Sequence, residues 1–185
     1  MAEYYLISQL PSLDGVGETA PLPITEEQFG ELCRRFLGKK AQGLLEKLTL
    51  SPAKQGESSG FAFIDTFNEN ERQLRFALGK VRAEKRKTSF DMGHRLLPMA
   101  CLKAASIAVE MDNPMEAETY LNRYRLDMLE AQRPMDNFSE EFLLYYGLKL
   151  KLLLRIRQFD EAAGEAAYRT IYNSILSGDG WEAIS

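Results

Sequence analysis

From Phe138 to Ile156 the chain reads FSEEFLLYYGLKLKLLLRI, and almost no helical face of that segment lacks a large apolar side chain. A helix that is apolar on nearly every side has no solvent face, so it must run through the middle of a core and be flanked by other elements. Ser139 is placed to cap its first turn, with Phe138 and Leu143 as a hydrophobic staple across the cap. The rest of the chain has to be arranged around this segment.

Several other stretches carry helical signals. Thr25 with Gln28 forms a capping box, and Ile24 can staple to Phe29. Phe29, Leu32, Cys33, Phe36 and Leu37 then repeat along one face, which predicts a helix over 25–37 stopped by Gly38. A short helix carrying Leu44, Leu45 and Leu48 must end before Pro52. Asn68 and Glu71 read as the start of a helix running to about Lys87, with Leu74, Ala77, Leu78 and Val81 on its buried face. A helix from Leu97 to Met111 has the small residues Ala100, Cys101, Ala104, Ala105 and Ala108 on one face, where a neighbour can approach closely. Asn113 as cap, Pro114 in the first helical position and Glu116 in the first turn open the next helix. Ala117, Tyr120, Leu121, Tyr124 and Met128 mark its inner face, and Pro134 closes the segment. A last helix, capped by Asp160, is expected to turn Ala163, Ala167, Tyr168, Ile171, Tyr172 and Ile175 inward. Only the start departs from this pattern: Tyr4 to Leu10 reads as a short strand or extended segment before a loop rich in proline and glycine.

The sum is an all-α antiparallel helical bundle with a short extended N-terminal segment. At 185 residues and 45% hydrophobic content, the chain can build one sizeable core or two small ones. Ser51 to Gly60 buries almost nothing and is the natural division, with an extended segment, helical hairpin and linker over 1–60 and a helical bundle over 61–185. No apolar run approaches the length of a membrane span, and the first residues lack the pattern of a secretory leader, so a cytoplasmic protein is expected. Cys33 and Cys101 fall on apolar faces without a CxxC partner, which predicts buried free thiols.

Catalytic and metal signatures are missing from this reading. The single histidine, His94, sits between Gly93 and Arg95 at a helix boundary. No zinc spacing, nucleophile elbow, Walker motif or dinucleotide-binding glycine pattern occurs. Glu26 with Glu27 and Glu140 with Glu141 lie in first turns, where stabilising the helix dipole accounts for them. The expectation is a protein without a catalytic site, cofactor or metal.

The strongest polar feature lies between Glu71 and Arg95. Arg72, Arg75, Lys80, Arg82, Lys85, Arg86, Lys87 and Arg95 face only Glu71, Glu84 and Asp91, in a chain whose net charge is -4. A solvated helix face is the plain reading, and a docking surface for an acidic partner or an anionic membrane surface is the functional one. Arg75, Arg82, Lys85, Arg86 and Lys87 are the candidate partner-binding residues. Nucleic acid fits poorly, because the aromatics that would stack bases are not interleaved with the charges.

Three stretches also carry a resemblance: Tyr4 through Pro11 (YYLISQLP), Asn113 through Glu118 (NPMEAE), and Phe138 through Tyr146 (FSEEFLLYY) with the helix that follows. They resemble a family of uncharacterised proteins encoded in bacterial V-type ATP synthase operons that is thought to stand in for the C-type subunit of the central stalk. Arg82 within Lys80–Ala83 is similar to the arginine-bearing helix of that stalk protein. The resemblance implies a non-enzymatic adapter of the central stalk, a socket between the rotor shaft and the membrane ring. Membrane association would then run through protein partners. The C-type stalk protein is longer and built from repeated helical units, so this chain would supply only part of such a socket.

Two other readings compete. Asn113–Tyr120 and Phe159–Tyr168 each look like the second helix of a tetratricopeptide unit, which suggests a helical-repeat scaffold unrelated to the ATPase. The spacing from Ala117 to Ala162 departs from that repeat's period. An enzyme built on Arg82, His94 and a nearby carboxylate is the third.

Overall fold

The computed structural model describes residues 2–16, 21–91, 93, 95–158 and 161–176. Among these it has eight helices and no strand, so the fold is all-α. The helices are α1 (Ala2–Gln9), α2 (Glu26–Phe36), α3 (Lys39–Glu46), α4 (Ala62–Lys85), α5 (Met99–Glu110), α6 (Pro114–Ala131), α7 (Glu140–Gln158) and α8 (Glu161–Leu176).

α7 occupies the centre, as its all-round apolar pattern requires. Every residue from Phe142 to Leu150 is buried, and so are Leu152 and Leu153. The helix packs on α2, α3, α4 and α6. On one side Leu143, Tyr146 and Leu150 meet Leu6 of α1 and Phe29 and Cys33 of α2. On another, Leu144, Tyr145 and Leu148 meet Phe63, Ile64 and Phe67 from the first turns of α4. Gly147 lets this happen at close range: a Cβ there would stand 3.1 Å from Leu48 and Phe29 and 3.2 Å from Leu45.

The far half of α4 joins α5 and α6 in a third cluster, where Leu74, Ala77 and Leu78 pack on Cys101, Ala104, Ala105, Ala108 and Leu121. Small side chains on α5 bring its axis close to α4, and this is the most extensive helix pair in the molecule. Both cysteines are buried and free.

Side-chain caps set the starts of three helices. Thr25 and Gln28 form the reciprocal capping box at α2, Asn113 accepts from the Met115 amide at α6, and Ser139 Oγ accepts from the Phe142 amide at α7. Glu26, Glu27, Glu140 and Glu141 stand in first turns.

Three expectations are corrected. The first residues form helix α1, not an extended segment. Tyr-rich composition favours strand only where a pleated partner exists, and none does among the described residues; helical spacing instead lets Leu6 bury fully while Ile7 and Leu10 pack beside it. Tyr4 stacks on Phe138 with ring centroids 3.7 Å apart, and Tyr5 lies against Phe36.

α4 starts six residues before Asn68, so Asn68 and Glu71 are buried mid-helix residues and not a cap pair. Phe63, Ile64 and Phe67 pull that turn onto α7, and tertiary packing outweighs the local start signal.

α8 is the third correction. Its Tyr168, Ile171, Tyr172 and Ile175 are exposed, not turned inward. Asp160, the expected cap of this helix, lies outside the described residues, as do the side chains of Ala163 and Ala167.

The loop over 51–60 is fastened to α4. Asp65 accepts from the Ser58 hydroxyl and the Ser59 amide, Asn68 Oδ1 accepts from the Ala53 amide, and Arg72 donates to the Ala53 carbonyl.

Candidate functional site

The basic stretch of the sequence becomes the last turns of α4 and the residues beyond it. α4 ends where Lys87 turns to φ 55°, the left-handed region. The Lys87 amide then donates to Glu84 and the Thr88 amide to Ala83, a Schellman closure completed without glycine. Cations in this last turn also complement the helix dipole.

The structure sorts the eight cations into two groups. Arg72 pairs with Glu69 at 3.1 Å, Lys80 lies 3.8 Å from Glu84, and Arg95 lies over the Phe76 ring at 4.0 Å and donates to Gln55. Arg75 is drawn inward, its Nε 2.9 Å from the buried Glu71 carboxylate. It stands about 10 Å along the axis before Arg82, at the 1.5 Å rise of a helix. Lys85 donates to the Val109 carbonyl at 2.6 Å, so it caps the end of α5. Arg82, Arg86 and Lys87 are exposed and have no ion-pair partner among the described residues. Of the five candidates, these three carry free charge, Lys85 has a structural duty, and Arg75 belongs to another cluster.

Arg82, Lys85 and Arg86 form the rim of a groove of about 410 Å³. Its floor is Val109 of α5, Met111 just beyond that helix and Leu121 of α6, and Pro114 and Glu118 of α6 also line it. Two features that favour negative charge meet there, the cationic side chains and the N-terminus of α6, while the Glu118 carboxylate also lines the groove and its apolar residues suit an apolar side chain. Such a groove suits an acidic segment with an apolar anchor.

No protein family, curated protein or solved structure matches this chain. What the chain does must therefore be read from the geometry of its own surface.

Elsewhere the ionisable groups are paired inside the fold. Glu71, 2% exposed, receives Arg125 at 3.0 and 3.3 Å as well as Arg75. Arg125 also donates to Asn122 at 3.1 Å, and Glu118 connects Arg125 to Arg155 of α7 at 2.6 Å. A second cluster centres on Lys149, which is 5% exposed and donates to Asp14 and Glu130. Burial alone would lower the Lys149 pKa, but the two carboxylates outweigh it and hold it above the ordinary lysine value. The hydrogen bond from Lys149 is the main reason Asp14 lies below the usual carboxylate range. Burial and the hydrogen bond to Glu130 push Tyr145 up to about 12, and burial does the same to Cys33.

In the sequence Glu71 reads as a helix-start residue, and no motif marks the partners of Glu71 or of Lys149. The available signal was weak: a lysine inside a helix that has no solvent face must find carboxylates from elsewhere. No grouping of three or more metal-ligating side chains occurs among the described residues. His94 lies outside them, so the arrangement of Arg82, His94 and a carboxylate does too. No described helix is long and apolar enough to cross a membrane.

Proposed function

We propose that this chain is a non-enzymatic adapter of a V-type ATP synthase, a piece of the central stalk that acts like its C-type socket protein and meets rotor-shaft and membrane-ring subunits. It docks an acidic partner segment on the face formed by Arg82, Arg86 and Lys87. The observation that supports this best is the groove: Arg82 and the Pro114–Glu118 turn, two of the places that carry the resemblance, line the same concavity with an apolar floor. Ala108 and Leu121, which line the groove, belong to the packed cluster of α4, α5 and α6, and that cluster supports a rigid platform beneath it. On this reading membrane attachment runs through protein partners.

The test is affinity capture from native cytoplasmic and membrane fractions with the partners identified by mass. Recovery of stalk and rotor-ring subunits is the expected result. Because Lys85 caps α5, the cleaner variant reverses only Arg82 and Arg86 to glutamate. That double variant should weaken capture about tenfold, or roughly 1.4 kcal/mol, with the fold kept and a melting temperature lowered only by the lost complement to the helix dipole. Capture that ignores the reversal returns this face to an ordinary solvated surface. Recovery of unrelated proteins favours a helical scaffold instead.

A further inference from the structure

Between α2, α3 and α7 lies a cavity of about 310 Å³, the size that holds a small organic molecule. Phe29, Leu45, Leu48 and Leu150 form its apolar wall, and all four belong to the two clusters packed around α7. Gly30 keeps the space open. It stands midway along α2, where glycine weakens a helix relative to alanine, and a Cβ on it would meet nothing within 4 Å. No packed neighbour demands the small residue, and what its missing side chain leaves is room in the cavity.

Most charges around the cavity are already explained by the fold. Glu26 of α2 pairs with Lys151 of α7. Glu27 and Arg34 stand in the first and last turns of α2, each at the end of the helix dipole that favours its charge. Glu46 differs. It is the last residue of α3, where the dipole disfavours a carboxylate, and it has no ion-pair partner among the described residues. One turn before it, Gln42 donates its side-chain amide to the Arg34 and Leu37 carbonyls at 2.7 and 2.9 Å, so only its Oε1, an acceptor, remains for a further partner. A carboxylate, an amide oxygen and the negative end of α3 therefore lie together beside an apolar wall, and all three call for a donor carrying positive charge.

We infer that this cavity binds a small organic cation, a primary ammonium carried on a compact apolar body. The body fills the space beside Gly30 against Phe29 and Leu150, and the ammonium is held by Glu46 and Gln42 Oε1. Charge decides between ligands of the same shape. A neutral one leaves Glu46 without a cation, and an anionic one brings a second negative charge to the negative end of α3, with Arg34 alone to receive it. The cavity shares no residue with the groove rimmed by Arg82, so this site is independent of the adapter reading.

The probe is phenethylammonium, with phenylethanol and phenylpropanoate as its neutral and anionic counterparts, titrated into the isotopically labelled full chain and followed by amide chemical shifts. Phenethylammonium should give saturable shifts at Gly30, Gly147 and Leu150 with a Kd of about 1 mM or tighter. Phenylethanol should bind about tenfold more weakly, and phenylpropanoate more weakly still. Gly30→Leu fills the space and should abolish the shifts while the helical circular dichroism is kept. Glu46→Gln should weaken phenethylammonium about tenfold and leave phenylethanol where it was. No saturable shift with phenethylammonium at about 20 mM overturns the proposal. So does binding that a folded Gly30→Leu chain retains, since the ligand then lies elsewhere. Phenylpropanoate binding as well as the amine, or Glu46→Gln leaving the amine unaffected, overturns the choice of a cation.

Discussion

α7 and α8 follow one another in the chain, and both have enough apolar residues to be core helices. Eleven residues of the first are buried; the second leaves Tyr168, Ile171, Tyr172 and Ile175 in water. The difference lies less in the helices than in their neighbours. α7 receives α2, α3, α4 and α6, with Leu6 of α1 beside α2, and is further tied by Lys149 to Asp14 and Glu130 and by Arg155 to Glu118. Apolar periodicity specifies that a face wants cover, and the cover can come from the same chain or from another one.

The contrast can be broken first at the charges that lock the helices around α7. Glu71→Ala leaves Arg125 buried without its carboxylate and should cost about 3–5 kcal/mol in chemical denaturation. A loss under about 1 kcal/mol would mean that Arg125 finds water or Glu118 instead.

Leu148→Ala, in the fully enclosed part of α7, should cost about 2–5 kcal/mol, whereas Ile171→Ala in α8 should stay within about 0.5 kcal/mol. Equal losses at the two positions would erase the distinction between the helices.

The Lys149 cluster sharpens it through pH. A raised lysine pKa contributes stability that is complete below about pH 10 and is lost as pH rises through the folded value. The lowered Asp14 pKa contributes stability above about pH 4 that is lost as pH falls through its folded value. Thermal melts should therefore fall at both ends, shallowly on the acid side because Asp14 is more than half exposed. In Lys149→Met the alkaline fall should shrink.

The smallest effect belongs to the end of α4. Lys87→Gly relieves a left-handed residue but loosens the unfolded chain, for a net gain of roughly 0.5–1 kcal/mol in the same denaturation assay.

Where a helix boundary depends on a few neighbouring residues, the sequence was legible. Thr25 with Gln28, Asn113 with Pro114, and Ser139 each mark an end that the structure keeps, and the apolar pattern of 142–156 placed α7 in the centre. Where a boundary depends on what packs against it, the reading failed. α4 gains its first turns because Phe63, Ile64 and Phe67 have α7 to cover, and α1 coils because Leu6 has α2 and α7 to meet. The candidate site was half legible: charge count located the basic stretch, but only three dimensions separate Arg82 and Arg86 from Arg75, which turns to Glu71, and Lys85, which closes α5.

The loop over 51–60 looks like the most vulnerable stretch of the chain, because serine, glycine and a lysine in a connecting segment are what proteases prefer. Cleavage needs several consecutive residues to leave their places and enter an extended active-site cleft. Here the amides of Ala53 and Ser59 and the carbonyl of Ala53 are already held by Asn68, Asp65 and Arg72 from a single helix. Protection of Lys54 from nicking is thus expected to depend on α4, and to be lost when that helix unfolds.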